Sequence, residues 1–147
     1  MPNPALSAYL CVRGAERAIA FYKAAFGAEE IFRLVDPGDG RIGHAELSLG
    51  GARLMLADEY PDFGALSPES IGGTPVKLHL YVDDVDAVFA RAMAEGATAL
   101  RPPKDEFYGD RSGLLSDPFG HAWFLATAGE PVAPEEMQAR WNAAMEG

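Results

Sequence analysis

The chain repeats its own punctuation. Val12, Gly27 and Gly51 in the first half match Val82, Gly96 and Gly120 in the second, at offsets of 70, 69 and 69 residues. The two glycines of each half lie 24 positions apart. Each half reads as an apolar strand ending in valine, a helix closed by glycine, a further strand and a hairpin. The strands are Leu6–Val12 and Val76–Val82, the helices roughly Ala15–Phe26 and Val85–Glu95, and the hairpins His44–Leu56 and Arg111–Leu125. Matched intervals with little matched sequence between them point to one βαβββ unit duplicated and fused, hence an α+β fold. A duplicated unit also places its functional positions in pairs, so each candidate can be compared with its counterpart.

Periodicity supports these elements. Ala15, Ala18, Ile19, Tyr22 and Phe26 form one stripe at helical spacing, and Val85, Val88, Phe89, Ala92 and Met93 form another. Asp83 or Asp84 can cap the second helix, and Gly27 and Gly96 stand where a left-handed terminator is wanted. In the strand that follows the linker, Leu78, Leu80 and Val82 share one face while Lys77, His79 and Tyr81 share the other. The leucine face is expected on the helix, leaving the histidine face open. A single domain, 1–147, is expected: a first module at about 4–58, a linker at 59–74, a second module at about 75–128 and a helical tail at 130–147. The linker, Glu59–Thr74, is rich in Gly, Pro and Ser and reads as a lid or a plain connector. Pro134–Glu135–Glu136 is a good helix start. Met137, Trp141 and Met145 then recur every fourth residue, an apolar stripe that calls for cover from the chain's own body or from a second copy.

Charge narrows the partners. Lys and Arg total 12 against 22 Asp and Glu, a net charge of −10, which repels nucleic acid. The single cysteine, Cys11, cannot form an internal disulfide, in keeping with a reducing cytoplasm. Neither an apolar run of membrane-spanning length nor a basic-then-apolar leader is present, so no membrane partner is expected.

The half-repeat, Phe21–Tyr22, Gly27–Ala28 and the turn Asp117–Pro118–Phe119–Gly120–His121 resemble the vicinal oxygen chelate superfamily, which holds glyoxalase, bleomycin-resistance and extradiol-dioxygenase proteins. More narrowly, His44–Ala45–Glu46–Leu47, Leu54–Met55–Leu56–Ala57–Asp58–Glu59, the segment from Leu78 to Asp86, and Tyr108–Gly109–Asp110–Arg111 resemble its PhnB-like branch. The resemblance runs from about Leu6 to Thr127 and implies two tandem βαβββ modules forming a cup-shaped mixed sheet. It also implies, for metal-using members, His, Gln or Glu ligands on the first and last strands of each module. Those positions here are Ser7, Met55, Lys77 and Phe124. A thioether, a phenyl ring and an ammonium suit neither zinc nor magnesium, so no metal cofactor is expected there. A two-residue slip that keeps the face would put His79 in place of Lys77.

Other chemistry is thinly signalled. His79 reads either as a ligand contact or as an imidazole bonded to a backbone carbonyl. His44 and Glu46, two apart on one strand face, are an acid/base pair or a structural pair at the hairpin edge. His121 reads as a turn residue, and Cys11 has no basic neighbour in sequence to activate it. The glycines form no phosphate loop or dinucleotide fingerprint.

A cup lined by Tyr9, Cys11, Met55, Lys77, His79, Tyr81, Phe107, Tyr108 and Phe124 remains; Asp110–Arg111 and Asp83–Asp84–Asp86 read as turn, ion-pair and capping residues, with Arg111 alone also read as a ligand anchor. Aromatic rings and a methionine around a few polar groups suit a flat, largely apolar small molecule. The expected function is therefore a metal-free binder of a small aromatic or amphiphilic compound in that cup. An alternative is a metal-dependent lyase, isomerase or dioxygenase with a rearranged site of His44, Glu46 and His79. A third reading is an interaction module without ligand. A homodimer is expected from the tail stripe.

Overall fold

The protein, seen in a computed structural model that describes residues 3–147, is built from two four-stranded mixed sheets with the same strand order. The first holds β1 (Ala8–Val12), β2 (Glu29–Val35), β3 (Ile42–Leu49) and β4 (Ala52–Asp58) in the order β1-β4-β3-β2. The second holds β5 (Lys77–Tyr81), β6 (Thr98–Asp105), β7 (Arg111–Ser116) and β8 (Ala122–Thr127) in the order β5-β8-β7-β6. In each, the first strand runs parallel to the last and the other pairings are antiparallel. The crossovers are α1 (Ala15–Phe26) and α3 (Val85–Ala94). The duplication read from matched glycines is thus present in the topology. The first strands start at Ala8 and Lys77 rather than at Leu6 and Val76, because the parallel ladders begin with the Ala8–Leu54 and Lys77–Ala122 pairs.

Each sheet buries one face on its helix. Leu10, Val12, Ala45, Leu47, Leu54 and Leu56 pack with Ile19, Tyr22 and Phe26, and Leu115, Trp123 and Leu125 pack with Val85, Phe89 and Ala92 in one continuous core. Each fully buried leucine or isoleucine contributes about 1.5–3 kcal/mol. Leu78, Leu80 and Val82 lie against that core, and Lys77, His79 and Tyr81 face away from it, as the alternation predicts. The N-terminus of α1 is capped from β4 instead of by its own first residues. Asp58 accepts hydrogen bonds from the Gly14 and Ala15 amides at 3.1 and 2.7 Å, while its second oxygen accepts from Ile42 N at 2.7 Å. Asp84 caps α3 through the Ala87 amide.

The linker is more ordered than its composition suggests. A 3₁₀ turn (Pro61–Phe63) and the short helix α2 (Pro68–Ile71) fill it. The Glu59 carboxylate accepts hydrogen bonds from the Ser67 amide and from the hydroxyls of Ser67 and Ser70, and those bonds hold its pKa down to about 2. Arg13 donates to Ser70 Oγ at 2.8 Å, tying the helix to the end of β1. This is an anchored connector, closed by its own carboxylate clamp.

One buried carboxylate joins the modules. Asp117, in the turn between β7 and β8, accepts the Tyr22 hydroxyl of α1 at 2.5 Å and the Trp123 indole N–H at 2.9 Å on one oxygen. Its other oxygen accepts the Phe119 and His121 amides at 2.8 and 3.0 Å. Tyr22 is completely buried, and its phenol is held well above its ordinary pKa by burial first and by the Asp117 charge second. Leaving one buried donor without a partner costs about 1–3 kcal/mol, and Asp117→Ala orphans several at once. Urea denaturation should show that variant destabilised by at least about 3 kcal/mol, against about 1–2 kcal/mol for Tyr22→Phe. A loss below 1 kcal/mol for Asp117→Ala would show that the turn does not depend on this carboxylate.

Candidate functional site

With one face of each sheet committed to its helix, the other face is left open, and strand alternation decides what stands on it. On the first sheet, cross-strand register aligns Tyr9 (β1), Met55 (β4), Glu46 (β3) and Phe32 (β2) in one row. Next to this row, the Tyr9 hydroxyl lies 2.8 Å from His44 Nδ1, and His44 Nε2 lies 2.8 Å from Glu46 Oε2. Glu46 Oε1 is 3.3 Å from Arg53 Nε. A linear polar array, Arg53–Glu46–His44–Tyr9, therefore crosses the face, flanked by the Phe32 ring 5.6 Å from the imidazole. Burial raises the Tyr9 phenol above its ordinary pKa, with smaller contributions from Cys11 and Glu46. The Cys11 thiol is raised too, by burial and then by Glu59 and Asp58, which is the opposite of nucleophile activation.

The second sheet carries a different set. His79 packs against Tyr81 and Phe124, with ring centroids 4.8 and 6.0 Å away. Lys77 is exposed at the start of the same strand. The Tyr81 hydroxyl donates to Asp110 Oδ2 at 2.7 Å, and this bond is the main cause of its raised pKa. Tyr108 meets Ser112 Oγ at 3.2 Å, beside Arg101 and Glu106, which pair at 2.5 Å. Arg111, read from the sequence as an ion-pair residue or a ligand anchor, makes a bidentate contact to Asp86 at 2.8 and 3.0 Å and a third bond to Asp105 at 3.2 Å. The Tyr108–Arg111 motif is thus largely architectural. Gly109, with φ of +104°, lets the chain leaving β8 pass so closely that a Cβ there would collide with the Glu130 carbonyl.

No hydrogen bond or ring contact among the described residues joins Tyr9, Cys11 and Met55 to Lys77, His79, Tyr81, Tyr108 and Phe124. The two groups occupy separate sheets and meet only at the seam. There a cleft of about 370 Å³ lies between the modules, lined mainly by Leu6, Ala8, Leu49, Leu54, Leu78, Leu80 and Trp123. Ser7, Arg53 and His79 supply its polar rim. Arg53 is also the end of the first sheet's polar array, and His79 is the centre of the second sheet's aromatic group, so the cleft borders both faces. His121, from the turn between β7 and β8, donates from Nε2 to the Cys11 carbonyl at 2.9 Å and so serves the seam, a bond across 110 residues of sequence that its reading as a turn residue does not include.

The metal positions implied by the resemblance can now be placed. Met55 sits opposite Tyr9 and Phe124 opposite His79, so the two last-strand positions are structurally equivalent and neither offers a ligand. Ser7 lies ahead of β1, and Lys77 is a cation. Among the described residues no group of three or more His, Cys, Asp or Glu side chains converges as a metal site. The rearranged set of His44, Glu46 and His79 is not assembled in one chain, because His79 belongs to the other sheet. The residues present do not fit a divalent metal. Arg53 and Phe32 were not singled out from the sequence. The tight Gly50–Gly51 turn fixes the β3–β4 register, which sets Arg53 one diagonal step from Glu46, so Arg53 was within reach of a register argument.

Comparison with known proteins gives consistent matches. Residues 5–125 match the family described as the Glyoxalase/Bleomycin resistance protein/Dioxygenase superfamily. The chain is 44% identical over 148 residues to a Mycobacterium bovis protein named Uncharacterized protein Mb0911c, covering 99% of this chain and 97% of that one. The crystal structure of TioX from Micromonospora sp. ML1 superposes with a TM-score of 0.64 at 27% identity, covering 88% of this chain and 100% of that one. A PhnB protein from Bacillus cereus, titled a putative 3-demethylubiquinone-9 3-methyltransferase, superposes with a TM-score of 0.67 at 23% identity, over 85% of this chain and 100% of that one.

Elemental analysis of protein purified without chelator should find well under stoichiometric zinc, nickel, iron or manganese. Near-stoichiometric metal that survives dialysis would overturn this reading of Ser7, Met55, Lys77 and Phe124.

Proposed function

The chain belongs to the glyoxalase/bleomycin resistance protein/dioxygenase superfamily, and on that premise we propose that it is a metal-free binder of a small, flat, aromatic or amphiphilic compound. The observation that carries this is the apolar cleft between the modules together with the rings beside its rim. A volume near 370 Å³ with an aliphatic and tryptophan lining suits a compound of drug-like size. His79, Tyr81 and Phe124 supply stacking area next to it, and Arg53, His79 and Lys77 supply positive or hydrogen-bonding groups for an anionic end.

The anionic aromatic probe 8-anilinonaphthalene-1-sulfonate should bind at micromolar concentration and raise the melting temperature. Phe124→Ala and Tyr81→Ala should each weaken it by roughly three- to tenfold, the equivalent of about 0.5–1.5 kcal/mol per aromatic contact. Affinity unchanged in both variants would place the probe elsewhere and overturn the assignment.

The same reading includes self-association as a homodimer. The tail helix α4 (Pro134–Glu146) buries none of its residues. Trp141 meets Phe107 at 5.8 Å, and Arg140 donates to the Phe107 carbonyl at 2.7 Å, yet Trp141 and Met145 remain largely open. Light scattering at micromolar concentration should give about 31 kDa, twice the 15.7 kDa of the chain. Deleting residues 134–147 should lower that mass if the helix forms the contact. A 16 kDa species for the full chain would refute the dimer.

A further inference from the structure

Resting on the reading of the chain as a binder of aromatic compounds, we infer that Tyr9, His44 and Glu46 form a general-base relay that removes a proton from a weakly acidic aromatic or carbonyl compound lying on the first sheet. The direction of the relay follows from donor and acceptor counting. The Glu46 carboxylate, paired with Arg53, can only accept, so His44 Nε2 carries the proton in the 2.8 Å bond between them. A neutral imidazole protonated at Nε2 has a bare Nδ1, and the Tyr9 hydroxyl 2.8 Å away donates to it. The remaining lone pairs of the Tyr9 oxygen then point to the open side of the sheet, where Tyr9 is 54% exposed.

The step balances without a co-reactant. The substrate's C–H, N–H or O–H proton passes to the Tyr9 oxygen as the tyrosine proton passes to His44 Nδ1. The electron pair stays on the substrate as an enolate, phenolate or carbanion that can expel a leaving group. The imidazolium that forms lies against the Glu46 carboxylate. A reacting hydroxyl, a base and a group that orients the base are the three parts such an arrangement needs. Phe32 and Met55 on the same row provide flat apolar contact.

The duplication supplies the control. Through the paired registers, Tyr9, His44 and Glu46 correspond to His79, Ser112 and Leu114 on the second sheet. The equivalent registers therefore stand with other side chains, Ser112 being bonded to Arg101, Glu106 and Tyr108 instead, so the fold does not require this particular set. The titratable or charged groups facing His44 are Tyr9 and Cys11 from β1, Glu46 from β3 and Arg53 from β4. β2 contributes the Phe32 ring.

The test uses 5-nitrobenzisoxazole, in which removal of the ring C–H breaks the N–O bond and releases a coloured phenolate. The intact chain should accelerate this elimination above free imidazole at equal concentration. His44→Gln should lower the rate by at least about tenfold and Glu46→Gln by severalfold, with unchanged circular dichroism and melting temperature. Lys104→Met, on an exposed part of β6, should leave it unchanged. No acceleration over imidazole, or equal rates for wild type and His44→Gln, would overturn the relay. Quenching of tryptophan fluorescence by the unreactive 3-methyl analogue separates the two readings. Binding without turnover of the parent compound overturns the relay and leaves the aromatic-binding reading standing, whereas absent binding overturns that reading as well.

Discussion

Much of this architecture turns on a carboxylate that water does not reach. Asp117 gathers a hydroxyl, an indole N–H and two amides, and those donors come from α1, β8 and its own turn. In a low-dielectric interior such a network is strong when complete and costly when broken, so it admits few relative positions of the modules. Tyr22 belongs to the first module and Trp123 to the second. Fixing one against the other also fixes the seam, because Trp123 lines the cleft and His121 of the same turn bonds the backbone of β1. The cleft's width is thus a consequence of a hydrogen-bond network 95 residues apart in sequence.

Against this common frame the two open faces have diverged. The first carries charge relayed through an imidazole and ending in a half-exposed phenol. The second carries tilted, packed rings together with the ion pairs Arg101–Glu106 and Arg111–Asp86. Equivalent strand positions under unlike side chains separate what the fold needs from what it merely tolerates. Leu10 and Leu80 both point to the core side, as their helices demand. Met55 and Phe124 share a position and have lost any capacity to hold a metal. The fold alone therefore does not carry the superfamily's metal chemistry over to this chain.

Part of the site was legible in the linear chain. The alternation around Lys77–Val82 gave the correct phase, so His79 and Tyr81 were placed on the open face from spacing alone. His44 and Glu46 were recognised as a pair because residues two apart on a strand share a face. Tyr9 was placed on the same side as Cys11 for that reason. What spacing could not supply was the link between Tyr9 and His44, which depends on β4 lying between β1 and β3 and on the exact offset of both ladders. Arg111 is a related case: its ion-pair character was legible in the sequence, but its partner, Asp86 at the start of α3, lies 25 residues away and follows only from the fold.

The sequence by itself determined the two βαβββ units, the face of each strand that goes inward and the absence of ligands at the implied metal positions. These are local matters of periodicity and residue chemistry. A 3.6-residue or two-residue period selects a buried stripe wherever it occurs, and a phenyl ring is no metal ligand in any context. Only the tertiary structure decided that the expected lining falls on two faces meeting at a cleft, and that Tyr9, His44 and Glu46 form one array. Those outcomes depend on register between strands far apart in sequence and on the buried Asp117 that sets one module against the other, and no local pattern encodes the distance between them.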